Sequence, residues 1–186
     1  MWEEDILDEF GYKQIYYDEL LKMVKVRERK YVNGELSIND LTVKNAIPFL
    51  KKLYDAGIQL YLASGSDEND VIEEALTLGY EYLFEGRIYG SVGDVTVEAK
   101  RIVLNRIMEK IGRDASTQVI TFGDGPVEIR ETRKRGGLTV GVATNELRRY
   151  ELNPSKRTRL IKAGADIIIP DFSQYGKLLA LMQLND

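Results

Sequence analysis

Apolar residues recur along this chain with two different periods, and the changes between them outline the fold. Tyr12, Tyr16, Tyr17, Leu20, Leu21 and Val24 return at roughly helical spacing and predict a helix near Asp18–Val26, closed by a turn at Asn33-Gly34. From about residue 42 helices and strands alternate. Val43–Tyr54 reads as a helix with Ile47, Leu50 and Leu53 on one face and Gly57 as its stop. Ile58–Ala63 is a strand candidate, Ser64-Gly-Ser-Asp67 a polar loop, and Asn69–Leu78 a helix closed by Gly79. Tyr82–Phe84 and Arg87–Tyr89 are short strand candidates. Thr96–Ile111 is an amphipathic helix, Gln118–Phe122 a buried strand, and Pro126–Arg135 a helix closed by Gly136-Gly137. Leu138–Ala143 and Asp166–Ile169 read as strands, Lys156–Lys162 and Gln174–Leu184 as helices. Apolar strands alternating with helices predict an α/β fold, a three-layer Rossmann-like parallel sheet, preceded by a helical N-terminal segment. The expected division is 1–41 as cap remnant or linker and 42–186 as the α/β core.

Composition narrows the chemistry. The 186 residues are 44% hydrophobic and 30% charged, ordinary for a globular chain with its own core. There is no cysteine and no histidine. Disulfides, thiolate metal sites, Cys nucleophiles and Ser-His-Asp catalysis are therefore excluded. Reactive groups must come from Asp, Glu, Lys, Arg, Ser, Thr, Tyr and the backbone, and any metal would be a hard, oxygen-ligated cation such as magnesium. A net charge of −4 gives no nucleic-acid signature. The run Lys22, Lys25, Arg27, Arg29 and Lys30 reads as a solvated helix end. The acidic start, with no apolar run behind it, is not a signal peptide, and no stretch has the ~18 apolar residues of a membrane span. A soluble cytoplasmic protein is expected.

In open parallel sheets ligands bind beyond the carboxyl ends of the strands. Three polar features fall there. Ser64-Gly65 can offer a hydroxyl and closely approaching backbone N–H groups to an anion, or can be a turn or helix cap. Lys100 lies four residues before Leu104, on the apolar face of its helix, and needs an anionic partner unless its stem snorkels past the helix end. Gly123-Asp124-Gly125-Pro126-Val127-Glu128 delivers two carboxylates at one strand tip, suited to a hard cation. Glu128 also stands where a capping-box residue would.

Ser, then Lys, then Gly-Asp-x-x-x-Glu in this order resembles the haloacid dehalogenase-like (HAD) superfamily of phosphohydrolases. Leu62-Ala-Ser-Gly-Ser-Asp67 looks like its second motif, Lys100 its third and Gly123–Glu128 its fourth. Gly136–Ala143 and Ala163–Phe172 resemble further core segments, so the likeness covers about residues 42–184. It implies a magnesium-dependent phosphatase acting on a small phosphorylated metabolite. Ser64 and Gly65 would bind phosphate, Lys100 would balance the charge of nucleophile and phosphate, and Asp124 with Glu128 would hold the metal.

The family's first motif, an apolar strand ending in Asp-x-Asp-x-Thr, has no counterpart. Asp5-Ile-Leu-Asp8 has the wrong spacing, and Asn39-Asp40-Leu-Thr42 leads straight into a helix. In the family that strand lies between those bearing motifs two and four, and its first Asp attacks phosphorus to give an aspartyl-phosphate that water hydrolyses. The chain thus resembles a member without its N-terminal strand: shortened, read from a downstream start, or a degenerate relative. Magnesium binding is expected to be weak, and this chain alone inactive. The alternative is a non-catalytic phosphometabolite-binding or regulatory module. A receiver-like phosphoacceptor domain fits the residue order poorly.

Overall fold

The computed structural model describes residues 9–92, 99–112, 118–148 and 151–184. The chain divides into two units, Met1–Leu41 and Thr42–Asp186. In the first, α1 (Glu9–Val32) runs beyond both ends of the predicted helix. It stops at Asn33-Gly34, whose N–H groups close on Arg29 and Tyr31 carbonyls. The basic run is exposed, as the pattern predicts. A short helix α2 (Ile38–Leu41) follows, with Ser37 N–H and Oγ both donating to Asp40 Oδ2 at 2.9 and 2.7 Å. Among the described residues no helix is long and apolar enough to cross a membrane.

The second unit alternates helix and strand: α3 (Ala46–Asp55), β1 (Leu62–Asp67), α4 (Glu68–Thr77), β2 (Ile88–Ser91), α5 (Ala99–Ile111), β3 (Ile120–Gly123), α6 (Pro126–Arg133), β4 (Leu138–Val142), α7 (Pro154–Ala163), β5 (Ile167–Ile169) and α8 (Tyr175–Leu181). All strand pairs are parallel, but they form two sheets, β1-β2 and β3-β4-β5. One core spans both. Phe49 of α3, 1% exposed, stacks on Phe172 and meets Phe122 of β3 edge-on, each at 5.1 Å. Leu62, Ile88, Val142 and Ile169, from the other four strands, pack in the same cluster. The opposite face is covered by α5, whose Val103 and Ile107 pack on Tyr89 and Ala63, and by α6 and α7, where Ile129 and Leu160 meet Ala143 and Ile168. The result is the expected three layers of α/β structure.

Several boundaries differ from the sequence reading. The first strand begins at Leu62 and includes the Ser64–Asp67 segment read as a loop. Ile58–Tyr61 forms no ladder. The Ile58 N–H returns to Leu53 at the end of α3, and the Leu60 carbonyl accepts from Arg87 Nε at 3.1 Å. Tyr82–Phe84 lies in a 3₁₀ turn (Glu81–Phe84), because its spacing buries Leu83 and Phe84 together. Residues 96–98 of the predicted helix Thr96–Ile111 lie outside the described residues, as do Asp5 and Asp8.

The division into two sheets is the largest departure. Among the described residues no backbone hydrogen bond joins β1 to β3. Every residue of these two strands is only partly buried, whereas β2 is buried throughout and β4 everywhere but Leu138. The strands flanking the division are therefore less covered than their outer neighbours.

Candidate functional site

The site builds from the carboxyl ends of β1 and β3. Pairing of β1 with β2 slips in register between Ala63 and Asp67, so Ser64-Gly65-Ser66 leaves the ladder as a bulge. The Ser66 N–H turns back to Ser64 Oγ at 3.1 Å. Asp67 then caps α4, accepting from the Asn69 N–H at 2.9 Å. On β2, Gly90 lets the start of α4 lie close: a Cβ there would stand 2.4 Å from Glu68 Cα.

Lys100, in the first turn of α5, passes close to the bulge. Its Cβ is 3.7 Å from where a Cβ of Gly65 would be. Its Nζ donates to Glu128 Oε1 at 2.8 Å. The anionic partner required by its place on an apolar helix face is thus Glu128, reaching from α6 across the division between the sheets. Glu128 is 3% exposed and folds back over its own turn, where the Gly125 N–H donates to Oε1 at 2.9 Å. The capping role is therefore realised. That fold-back demands glycine at 123, since a Cβ there would fall 2.3 Å from Glu128 Cγ. Glu128 Oε2 is buried and has no hydrogen-bond partner among the described residues.

Asp124 projects from the same tip and is more exposed. Its Oδ2 accepts from Lys156 Nζ of α7 at 3.0 Å. Burial acts to raise its carboxyl, but the Lys156 hydrogen bond and charge, with the charge of Lys100, outweigh that and hold it below the usual carboxylate range. Lys156 also contacts Glu146. Burial works to lower the Lys156 ammonium, and its bonds to Glu146 and Asp124 raise it above the ordinary lysine value.

Gly65, Lys100, Glu128 and Gly123 are therefore brought together across the two sheets, with Ser64 beside Gly65 and Asp124 beside Gly123. Lys156 and Glu146 were not anticipated. Lys156 follows Asn153-Pro154 in a helix carrying several similar basic residues, Arg157, Arg159 and Lys162, and nothing local sets it apart.

The donor set bears on magnesium in two ways. The orphan Glu128 Oε2 is an oxygen acceptor of the kind a hard cation takes. Each carboxylate is already paired with a lysine, and among the described residues no group of three acidic residues is placed to hold a metal. Among the described residues the oxygen donors at this place are therefore two lysine-paired carboxylates.

No protein-family model matches the chain, and no curated protein matches it. Solved structures do. A predicted phosphatase from Clostridium acetobutylicum aligns with a TM-score of 0.59 at 21% identity, over 74% of this chain and 59% of its own. A haloacid dehalogenase-like hydrolase from Streptococcus pneumoniae aligns at 0.55 and 22% identity, over 75% of this chain and 59% of its own. A haloacid dehalogenase-like protein of unknown function from Agrobacterium tumefaciens aligns at 0.62 and 18% identity, over 89% of this chain and 70% of its own. The chain has the haloacid dehalogenase-like fold. It spans about three-fifths of the length of the first two of these neighbours. Within that fold β1 and β3 carry the segments resembling motifs two and four, and among the described residues no ladder joins them.

Proposed function

We propose that the ends of β1 and β3 bind the phosphoryl group of a small phosphorylated metabolite, as in a HAD-like phosphohydrolase. Ser64 and the Gly65 backbone bind phosphate oxygens, and Lys100 offsets their charge. Asp124 and Glu128 hold magnesium weakly, and the ion would supply further charge neutralisation at the transferring group. The observation that supports this reading is the Lys100–Glu128 ion pair, which brings the motif-three lysine from the β1 side and the motif-four glutamate from the β3 side to one place. Hydrolysis through an aspartyl-phosphate needs a carboxylate nucleophile, and in this reading an Asp-x-Asp strand lying between β1 and β3 supplies it. The chain of 186 residues then lacks the covalent step, since Ser64 and Ser66 have no histidine base to activate them. A non-catalytic phosphometabolite-binding module is the second reading, favoured by that same missing nucleophile.

Hydrolysis of p-nitrophenyl phosphate tests the first reading. The 186-residue chain should show negligible turnover. A chain extended by an apolar Asp-x-Asp strand should turn over with magnesium and lose about 10²-fold or more on Lys100→Ala or Asp124→Ala. Magnesium-dependent turnover by the 186-residue chain, abolished by Ser64→Ala, would overturn both the missing-nucleophile argument and the phosphate-binding role of Ser64. An extended chain that binds inorganic phosphate without turnover would favour the binding module.

A further inference from the structure

Lys156 sits at the meeting point of three elements. Asp124 comes from the tip of β3, Glu146 from the segment after β4, and Lys156 from the first turn of α7. Its Nζ lies 3.0 Å from Asp124 Oδ2 and hydrogen-bonds Glu146 as well. The lysine side chain is only 14% exposed, while those of Asp124 and Glu146 are 55% and 74% exposed. Its backbone is fixed too, since the Lys156 N–H donates to the Asn153 cap at 3.0 Å. A covered stem therefore delivers one positive charge between two carboxylates that would otherwise face each other as like charges. A Cβ on Gly125, the residue after Asp124, would stand 2.9 Å from the buried Glu128 Oε2.

Two carboxylates within reach of one atom are also what a hard divalent cation selects. We propose that Lys156 is the resident cation of an Asp124–Glu146 seat and determines its selectivity: its ammonium keeps divalent ions off Asp124 and so sets how weakly the site holds them. This rests on the reading of Asp124 as a cation ligand, and adds Glu146 as a second carboxylate and Lys156 as the competitor. Replacing the ammonium by a neutral side chain removes the competing charge and leaves both carboxylates free, so divalent affinity rises.

The test uses the whole 186-residue chain and manganese(II) as the probe. Binding is read from the electron paramagnetic resonance signal of free manganese and from broadening of the amide signals of residues 123–125 and 145–147. Lys156→Ala should bind manganese about tenfold or more tighter than the unaltered chain, and Lys156→Gln, which keeps most of the stem, should shift in the same direction. Adding Glu146→Gln or Asp124→Asn to Lys156→Ala should remove the gain. Either lysine variant suffices if the other fails to fold. Binding that depends on Asp124 but is unchanged by Lys156→Ala would overturn the inference and leave the Asp124 reading standing. No Asp124-dependent binding in any folded variant would overturn both. A gain that survives Glu146→Gln would show that Glu146 is no part of the seat, and would also overturn the proposal.

Discussion

The two strand tips that flank the site are built on opposite principles. At β1 the tip is Ser-Gly-Ser, neutral and bulged out of its ladder, with ordinary van der Waals space between Gly65 and Lys100. At β3 the tip is Gly-Asp-Gly, charged and closely packed, with Glu128 folded over Gly123 so tightly that no Cβ fits. One bank offers a hydroxyl and backbone groups, the chemistry that receives anions. The other offers carboxylates, the chemistry that receives cations. In the proposed reading a phosphoryl group with a metal counter-ion needs both, and the two chemistries then come from separate half-sheets. Those half-sheets share a core but no backbone pairing, so contact between the banks runs through side chains: Lys100 to Glu128 on one face and the Phe49 cluster on the other.

The comparison breaks most severely at Phe49, which touches Phe122 and shares a cluster with Leu62 and Ile88. Phe49→Ala should cost about 3–5 kcal/mol. Urea unfolding followed by tryptophan-independent probes, far-UV circular dichroism and resolved amide signals, should show both half-sheets lost in one transition. Two separated transitions would mean that the halves are held independently.

The contrast between the tips sharpens with a pair of glycine substitutions. Gly123→Ala drives a methyl group into Glu128 and should cost about 1–3 kcal/mol while displacing the Lys100 pair. Among the described residues Gly65→Ala meets only Lys100, its Cβ at 3.7 Å and its backbone N at 4.0 Å, and should stay within about 0.5 kcal/mol. Equal losses at the two positions would contradict the difference between a slack bank and a tight one.

The smallest expected effect separates the half-sheets by pH. Asp124, Glu131 and Asp166 all belong to the β3-β4-β5 half, and each carboxyl lies below its ordinary value. For Asp166, burial acts to raise the carboxyl, and hydrogen bonds from Thr139 with the charge of Arg133 outweigh it. For Glu131 the partners are Lys134 and Arg135. Folded values below unfolded ones mean that this stabilisation is complete above the unfolded carboxyl range, about pH 5 and up, and is lost as pH falls through the lower folded values. Stability measured from pH 7 to 3 should fall on that limb, and Asp166→Asn should flatten part of it. A limb unchanged by Asp166→Asn would remove Asp166 from the account.

Much of the architecture is legible in the sequence where local signals decide it. Pro126, the Gly125 turn and Glu128 define the start of α6, and Leu138–Val142 is an apolar run whose strand needs no help to be seen. Gly-Asp-Gly after an apolar strand and Lys100 on an apolar helix face single out Asp124, Glu128 and Lys100 by local pattern alone, and the structure brings Lys100 to Glu128. Features set by distant pairing are not legible. Ser64–Asp67 reads as loop because its residues are small and polar, yet Ile88–Ser91, more than twenty positions later, draws it into a strand. Lys156 meets Asp124 from 32 positions away. That no ladder joins β1 to β3 depends on which strands find each other, and hydropathy carries no such information.

The short edge strands also bear on how this protein meets its own copies. An unpaired edge is ordinarily a template on which further chains add strand by strand. Among the described residues β1 and β3 are each laddered on one side only, and they run to six and four residues. β1 leaves its regular ladder at Ser64-Gly65-Ser66, and β3 runs out into Asp124-Gly125, so a bulge blunts one edge and a charge the other.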